Sequence, residues 1–123
     1  MNDRTMSWTG RVLTALVMLP FAMGAYMTFS HNPQAAEGMA KVGWPPAMAN
    51  IIMALMLSSL TLYLIPPTAV LGAVLLTGYL GGAVATHLRV GEAPTAAVTV
   101  GVLAWLGLWL REPRLRQLLP LKR

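Results

Sequence analysis

The residues best equipped for chemistry in this chain fall in one stretch, from Gly78 to Arg89, and in the segments that could meet it. Tyr79 and Thr86 stand seven residues apart, on nearly the same face of a helix, and His87 lies about 80° around from Tyr79 at 100° per residue. A phenol, an imidazole and the guanidinium of Arg89 in that order could hold an anion or shuttle a proton, given an acid to orient the histidine. Glu37 and Glu92 are the two acids available, either to pair with Arg89 or to orient His87. Tyr26 and Asn50 complete the set of polar groups expected at this depth. The sequence therefore predicts one candidate pocket formed by Tyr26, Glu37, Asn50, Tyr79, His87 and Arg89. Metal binding is not expected, because His31 and His87 and the few acids lack an i, i+4 ligand spacing. Haem ligation by the same two histidines is disfavoured, since one sits in a loop and the other at a helix end. The chain has no cysteine, which removes disulfides, thiolate metal sites and thiol redox chemistry, and no cofactor is expected.

The elements that must position these groups are apolar helices. Of 123 residues, 56% are hydrophobic and only 11% charged, against roughly 45–50% and about 25% in ordinary soluble domains. So few charges cannot cover the surface of a single small soluble domain, and lipid becomes the natural solvent. A helix needs about 20 mostly apolar residues to cross a bilayer core. Four uncharged stretches qualify, at about 12–29, 47–65, 68–87 and 96–110, the last of them short. The predicted fold is all-α, a four-helix transmembrane bundle forming one domain. The absence of period-two alternation argues against a barrel.

Prolines set the connections. Pro66-Pro67 leaves room only for a tight turn, so the second and third spans should be antiparallel neighbours. Pro45-Pro46 and Pro94 open the second and fourth spans, where a missing N–H is harmless. Pro20 falls inside the first span and is expected to bend it. A cleaved leader ending near Met23-Gly24-Ala25 is the competing reading of the first span. The long apolar stretch favours a retained helix.

In the loop at 30–46, Asn32-Pro33 reads as a helix cap and first turn, Gly43 as a stop, and Glu37 with Lys41 as an i, i+4 ion pair. A short helix at about 33–42 is predicted, either a simple connector or a lid over a cavity. Gly78 with Gly82, and Gly81 with Ala85, make two small-xxx-small pairs that could let helix backbones approach closely. That would place the third span at the centre of the bundle.

Charge placement predicts orientation. Four spans put Arg4, Arg11, Arg111, Arg114, Arg116, Lys122 and Arg123 on one side and only Lys41 and Arg89 on the other. Basic residues favour the cytoplasmic side, so both termini should face the cytoplasm, as in a bacterial inner membrane protein. The net charge of +5 sits mostly at the chain ends, and the arginines of the C-terminal stretch alternate with leucines. Such a segment suits the inner leaflet surface, and nucleic acid is not an expected partner.

Several blocks together resemble the DoxX-like family of small four-helix membrane proteins. They are Arg11-Val12-Leu13-Thr14, Glu37-Gly38, Gly43-Trp44-Pro45, Ile65-Pro66, Thr68-Ala69 and Leu71-Gly72-Ala73. The most specific runs from Gly78-Tyr79-Leu80-Gly81-Gly82-Ala83 to His87 and Arg89, and the C-terminal Arg111-Glu112-Pro113-Arg114-Leu115-Arg116 adds to it. One departure stands out. Members of this family often carry an acid in the second helix, about where Met56 stands here, so proton handling at that position is not available to this chain. The resemblance implies a four-helix membrane fold and an association with thiosulfate:quinone oxidoreduction and related redox complexes.

Three functions compete on these grounds. The first is a non-catalytic membrane subunit or scaffold that binds a redox partner, a quinone or a second copy of itself. The second is a small membrane enzyme acting on a lipophilic substrate, with His87 in acid–base work, Tyr79 or Glu37 assisting and Arg89 stabilising an anion. The third is a transport element, for which four short helices without a buried charge offer little. The first is favoured, with the lipid bilayer as the constant partner.

Overall fold

The computed structural model describes residues 2–122. It is all helical, with no strand among those residues. Six α-helices follow one another: α1 Asp3–Phe29, α2 Pro33–Lys41, α3 Ala49–Leu64, α4 Ala69–Arg89, α5 Thr95–Arg111 and α6 Pro113–Arg116. Single 3-10 turns at Pro46–Met48 and Pro66–Thr68 lead into α3 and α4. Three helical stretches are long and apolar enough to cross a membrane, Asp3–Phe29, Pro46–Leu64 and Pro66–Arg89, while Thr95–Arg111 is apolar but shorter.

The first helix starts well before the apolar stretch that announces it. The Asn2 side chain accepts the Thr5 N–H at 2.8 Å, and Asp3 lies in the first turn, where a negative charge suits the helix dipole. An uncharged window detects what lipid can hold, whereas caps decide where a helix begins. The helix runs unbroken through Pro20 to Phe29.

The four longest helices pack in a cycle: α1 on α5, α5 on α4, α4 on α3 and α3 on α1. Val17, Phe21, Met56, Leu60, Tyr63, Leu76, Ala104 and Leu108 fill the centre. Met56 is almost fully enclosed at 1% exposure and is part of the apolar core. Around Pro66-Pro67 the chain turns within four residues, and the Thr68 hydroxyl donates to the Leu62 carbonyl at 2.8 Å. That bond ties the turn to the last turn of α3.

The close helix approaches are not where the small-residue pairs suggested. A Cβ on Gly72 would run into the backbone of Tyr63 and Leu62, and one on Gly10 would lie 2.5 Å from the Gly107 carbonyl oxygen and 2.6 Å from the Arg111 side chain. Gly72 thus brings α4 onto α3, and Gly10 with Gly107 brings α1 onto α5. At Gly78, Gly81 and Gly82 an added Cβ meets nothing within 4 Å, and Ala85 is exposed. Within one chain these four residues join no helices, and α4 is one member of the cycle rather than its centre.

The two chain ends share one end of the molecule. Arg116 reaches Asp3 at 3.5 Å, and it also donates to the Leu110 carbonyl at 2.8 Å. Leu115 is buried, and the Trp109 indole N–H donates to the Leu119 carbonyl at 2.8 Å. The C-terminal segment is therefore docked on protein, and Arg116 serves to cap α5 rather than to meet lipid phosphates. Arg111 also turns inward, its guanidinium 5.4 Å from the centre of the Tyr63 ring. Of Arg111, Arg114 and Arg116, Arg114 is the one that keeps an exposed position, as Arg4 and Arg11 do at the other terminus.

Candidate functional site

At the opposite end, where α2 lies, the helices line an open-sided cavity of about 460 Å³. This is within the range of about 300–1,000 Å³ common for small-molecule sites. Its walls come from the last turns of α1, from α2, from the first turns of α3 and from the second half of α4. On α4 the lining residues are Gly78, Tyr79, Gly82, Ala83, Thr86 and His87, which recur at one- and three-residue steps and form a single helical face. The rest of the lining is mainly apolar and includes Met27, Met39 and Met53, from α1, α2 and α3, and Trp44. No Asp, Glu, Lys or Arg lines the cavity. Tyr79 and His87 stand eight residues apart, about 12 Å along the α4 axis. Tyr79 is partly buried, its ring edge-on to Phe21 at 6.3 Å.

The placement of His87 has a local cause. At the end of α4, Gly91 adopts φ +78°, its N–H bonds to the Leu88 carbonyl at 3.1 Å, and the Glu92 N–H bonds back to the His87 carbonyl at 2.9 Å. This pair of bonds is the glycine-terminated Schellman motif. It folds Glu92 back over the last turn, where its Oε2 lies 3.1 Å from His87 Nδ1 and its Oε1 3.0 Å from Lys41 Nζ. A carboxylate only accepts, so His87 Nδ1 carries the hydrogen of that bond and Nε2 is the ring nitrogen left for another partner.

The same motif ends α2. Gly43 has φ +85°, with its N–H on the Ala40 carbonyl and the Trp44 N–H on the Met39 carbonyl at 2.9 Å. Arg89 donates to the Val42 carbonyl at 2.7 Å, so it caps α2. A third such ending closes α1, where His31 takes φ +57° without being glycine. The Asn32 side chain accepts the Gln34 N–H at 2.9 Å and starts α2 at Pro33. Between these caps α2 contributes Ala35, Gly38 and Met39 to the cavity wall.

Of the six predicted pocket residues, the structure brings Tyr79 and His87 to this cavity. Tyr26 points away and is 70% exposed. Glu37 is exposed and makes no ion pair with Lys41, because the Lys41 ammonium is drawn to Glu92 across the gap between α2 and the α4–α5 loop. Asn50 lines a smaller neighbouring cavity of about 200 Å³ with His31 and Asn32. Arg89 holds α2 in place from outside the cavity. Six groups at one depth on differently rotated helices cannot all face one point. Sequence reasoning missed the lining methionines and Trp44, whose signal was only apolarity. It also missed Gly91, a glycine just past a helix end that could have placed Glu92 over His87. No cluster of three or more His, Asp or Glu gathers among the described residues.

The hydrogen bonds from Lys41 and His87 hold the Glu92 carboxyl below the usual carboxylate range. Because the folded value is depressed, the contribution to docking α2 is complete above the ordinary value of about 4.3 and disappears as pH falls through the folded value. Amide protection in α2, taken relative to the intrinsic exchange rate at each pH, should therefore fall below about pH 4. A Glu92→Gln variant should show the lower protection already at neutral pH and little further change in protection on acidification. Equal exchange in variant and parent at pH 7 would refute the latch.

A family model described as the DoxX-like family matches residues 12–108. No curated protein and no solved structure matches the chain.

Proposed function

The chain belongs to the DoxX-like family, and on that premise we propose that it is a non-catalytic integral membrane subunit serving a redox or quinone process. In this reading α1, α3, α4 and α5 are four spans, the last crossing a locally thinned bilayer. Both termini face the cytoplasm of a bacterial inner membrane, in keeping with the basic residues gathered at their end. A second copy or a membrane redox partner completes the assembly.

The observation that carries the proposal is the cavity of about 460 Å³ with mainly apolar walls, no Asp, Glu, Lys or Arg in its lining, and a few hydrogen-bonding side chains, among them Tyr79 and His87. Such a site suits a neutral lipophilic molecule whose polar atoms meet the phenol or the imidazole. Gly78, Gly82 and Leu55 line it and are also exposed, so it opens on the flank of the helices. A ligand dissolved in the bilayer would enter there.

The test is a titration of the purified protein in nanodiscs with a decyl-tailed benzoquinone. Quenching of tryptophan fluorescence should saturate, and Trp44→Phe should remove most of the saturable part. Tyr79→Phe and His87→Ala should each weaken binding by roughly five- to tenfold, the value of one hydrogen bond. Saturable quenching that survives Trp44→Phe intact would place the quinone elsewhere, and linear quenching alone would end the quinone reading.

The Glu92–His87 bond favours a second reading, a small membrane enzyme. A histidine at a cavity edge, oriented by a carboxylate, has the arrangement of a general base. Turnover of a lipophilic substrate that is lost in His87→Ala, and strongly reduced in Glu92→Gln, would establish it over the subunit role.

A further inference from the structure

Glycines of two kinds occur in this fold, and the difference has a meaning for the cavity. Gly10, Gly72 and Gly107 sit where a side chain would press on a neighbouring helix. Gly24 on α1, Gly38 on α2 and Gly78 and Gly82 on α4 all line the cavity, and a Cβ on any of them meets no atom within 4 Å. A glycine inside a helix is less stable than alanine there. Five helical glycines are open in this way; four of them, on three helices, share one empty space, and the fifth, Gly81, lies outside it.

We infer that Gly78 and Gly82 determine specificity by forming the bare floor of a slot for the flat, neutral ring of a membrane-soluble molecule. The inference rests on the ligand-binding reading of the cavity and names the shape and chemistry of the occupant. One turn apart on one face, the two glycines expose a strip of backbone that a planar ring can approach closely. Elsewhere in the lining, Met27, Met39 and Met53 supply polarizable thioethers, which make favourable contacts with aromatic rings and adapt to ring substituents. The cavity has no Asp, Glu, Lys or Arg in its lining, which excludes ionic head groups. Tyr79 beside the floor and His87 at the outer end give a ring's oxygen substituents hydrogen-bonding partners, which a plain acyl chain could not use.

The experiment compares three probes of equal tail length in nanodiscs: decyl-benzoquinone, decyl-phenol and decyl-cyclohexane. Binding is read by isothermal titration calorimetry, with thermal unfolding followed in parallel. The two flat probes should bind and the cyclohexane should bind at least tenfold more weakly. Gly78→Leu and Gly82→Leu should each reduce binding of the flat probes by tenfold or more while unfolding at the parent temperature or above. Gly81→Leu, on the same helix but outside the cavity, should bind as the parent does.

Binding of the phenol without the quinone, lost in Gly82→Leu, would keep the slot and overturn the quinone reading alone. Failure of both flat probes to bind the parent protein would overturn the slot. So would equal binding of the cyclohexane, which would mark the cavity as a seat for acyl chains, or undiminished binding in the folded leucine variants. Should a leucine variant fail to fold, Gly78→Ala and Gly82→Ala carry the same comparison, with a smaller expected loss of about threefold and the same reversal if none is seen.

Discussion

Gly72→Ala is expected to be the most damaging single methyl group that can be added to this protein. Its Cβ would fall on the backbone of Tyr63, with the Leu62 carbonyl carbon at 2.6 Å. Extra atoms in a well-packed core cost about 1–3 kcal/mol when side chains can move aside. Here the obstacle is main chain, held within two residues of the α3 end and tied to the Pro66–Thr68 turn by the Thr68 hydroxyl. Relief requires α3 and α4 to separate along their contact, so the loss should reach the top of that range, about 3 kcal/mol. That is a large share of the roughly 5–15 kcal/mol that stabilises a domain.

The check is unfolding in mixed micelles with increasing dodecyl sulfate, beside gel filtration in mild detergent. Gly78→Ala is the control on the same helix. With open space at its Cβ it should be neutral or more stable by up to about 1 kcal/mol, the helix preference of alanine over glycine. Coinciding transitions for Gly72→Ala and the parent would mean that α3 and α4 do not pack as described.

Truncating Tyr63 should be nearly as severe. The ring is 0% exposed, its hydroxyl donates to the Ala104 carbonyl at 2.6 Å, and the Thr14 hydroxyl lies 3.5 Å away. Tyr63 on α3 thus touches α1 and α5 at once. The Arg111 guanidinium lies against its face, and Nε and Nη2 of Arg111 are enclosed with no hydrogen-bond partner among the described residues. The ring is what offsets that charge locally. Tyr63→Ala should cost about 3–5 kcal/mol, as for other large aromatic truncations, with the exposed arginine face adding to it. Tyr63→Phe keeps the ring and should cost about 1–2 kcal/mol for the lost hydroxyl bond.

The same dodecyl sulfate titration measures both. The order matters more than the sizes. A phenylalanine variant as unstable as the alanine variant would mean that the hydroxyl, and not the ring, joins the three helices. An alanine variant close to the parent would refute a central role for Tyr63.

The residues that proved legible in sequence are those whose neighbours are local. Asn32-Pro33 starts α2 and Gly43 ends it, because capping bonds reach only two to four residues along the chain. Pro66-Pro67 marks a turn for the same reason. Tyr79 and His87 share a face of α4 by helical geometry alone, and they line one cavity. Helix rotation is where the reading ran out. Tyr26 and Asn50 lie at the expected depth but on other faces, and Arg89 went to a backbone carbonyl. The Glu37–Lys41 pair was a sound local expectation that a longer-range partner displaced. Glu92 reaches Lys41 because Gly91 turns the chain back.

Sequence alone determined that this chain is a set of apolar helices with caps and turns at definite places and with basic residues gathered near its two ends. Those properties follow from composition and from bonds within a few residues. Tertiary structure alone decided which glycines are contacts and which are open space. Gly72 and Gly78 look alike in sequence, one in Leu71-Gly72-Ala73 and the other opening a GxxxG pair. The first is pressed against α3 and the second faces a cavity. A glycine carries no side chain to record what lies beside it, so only the neighbouring helices can show whether its empty space is filled.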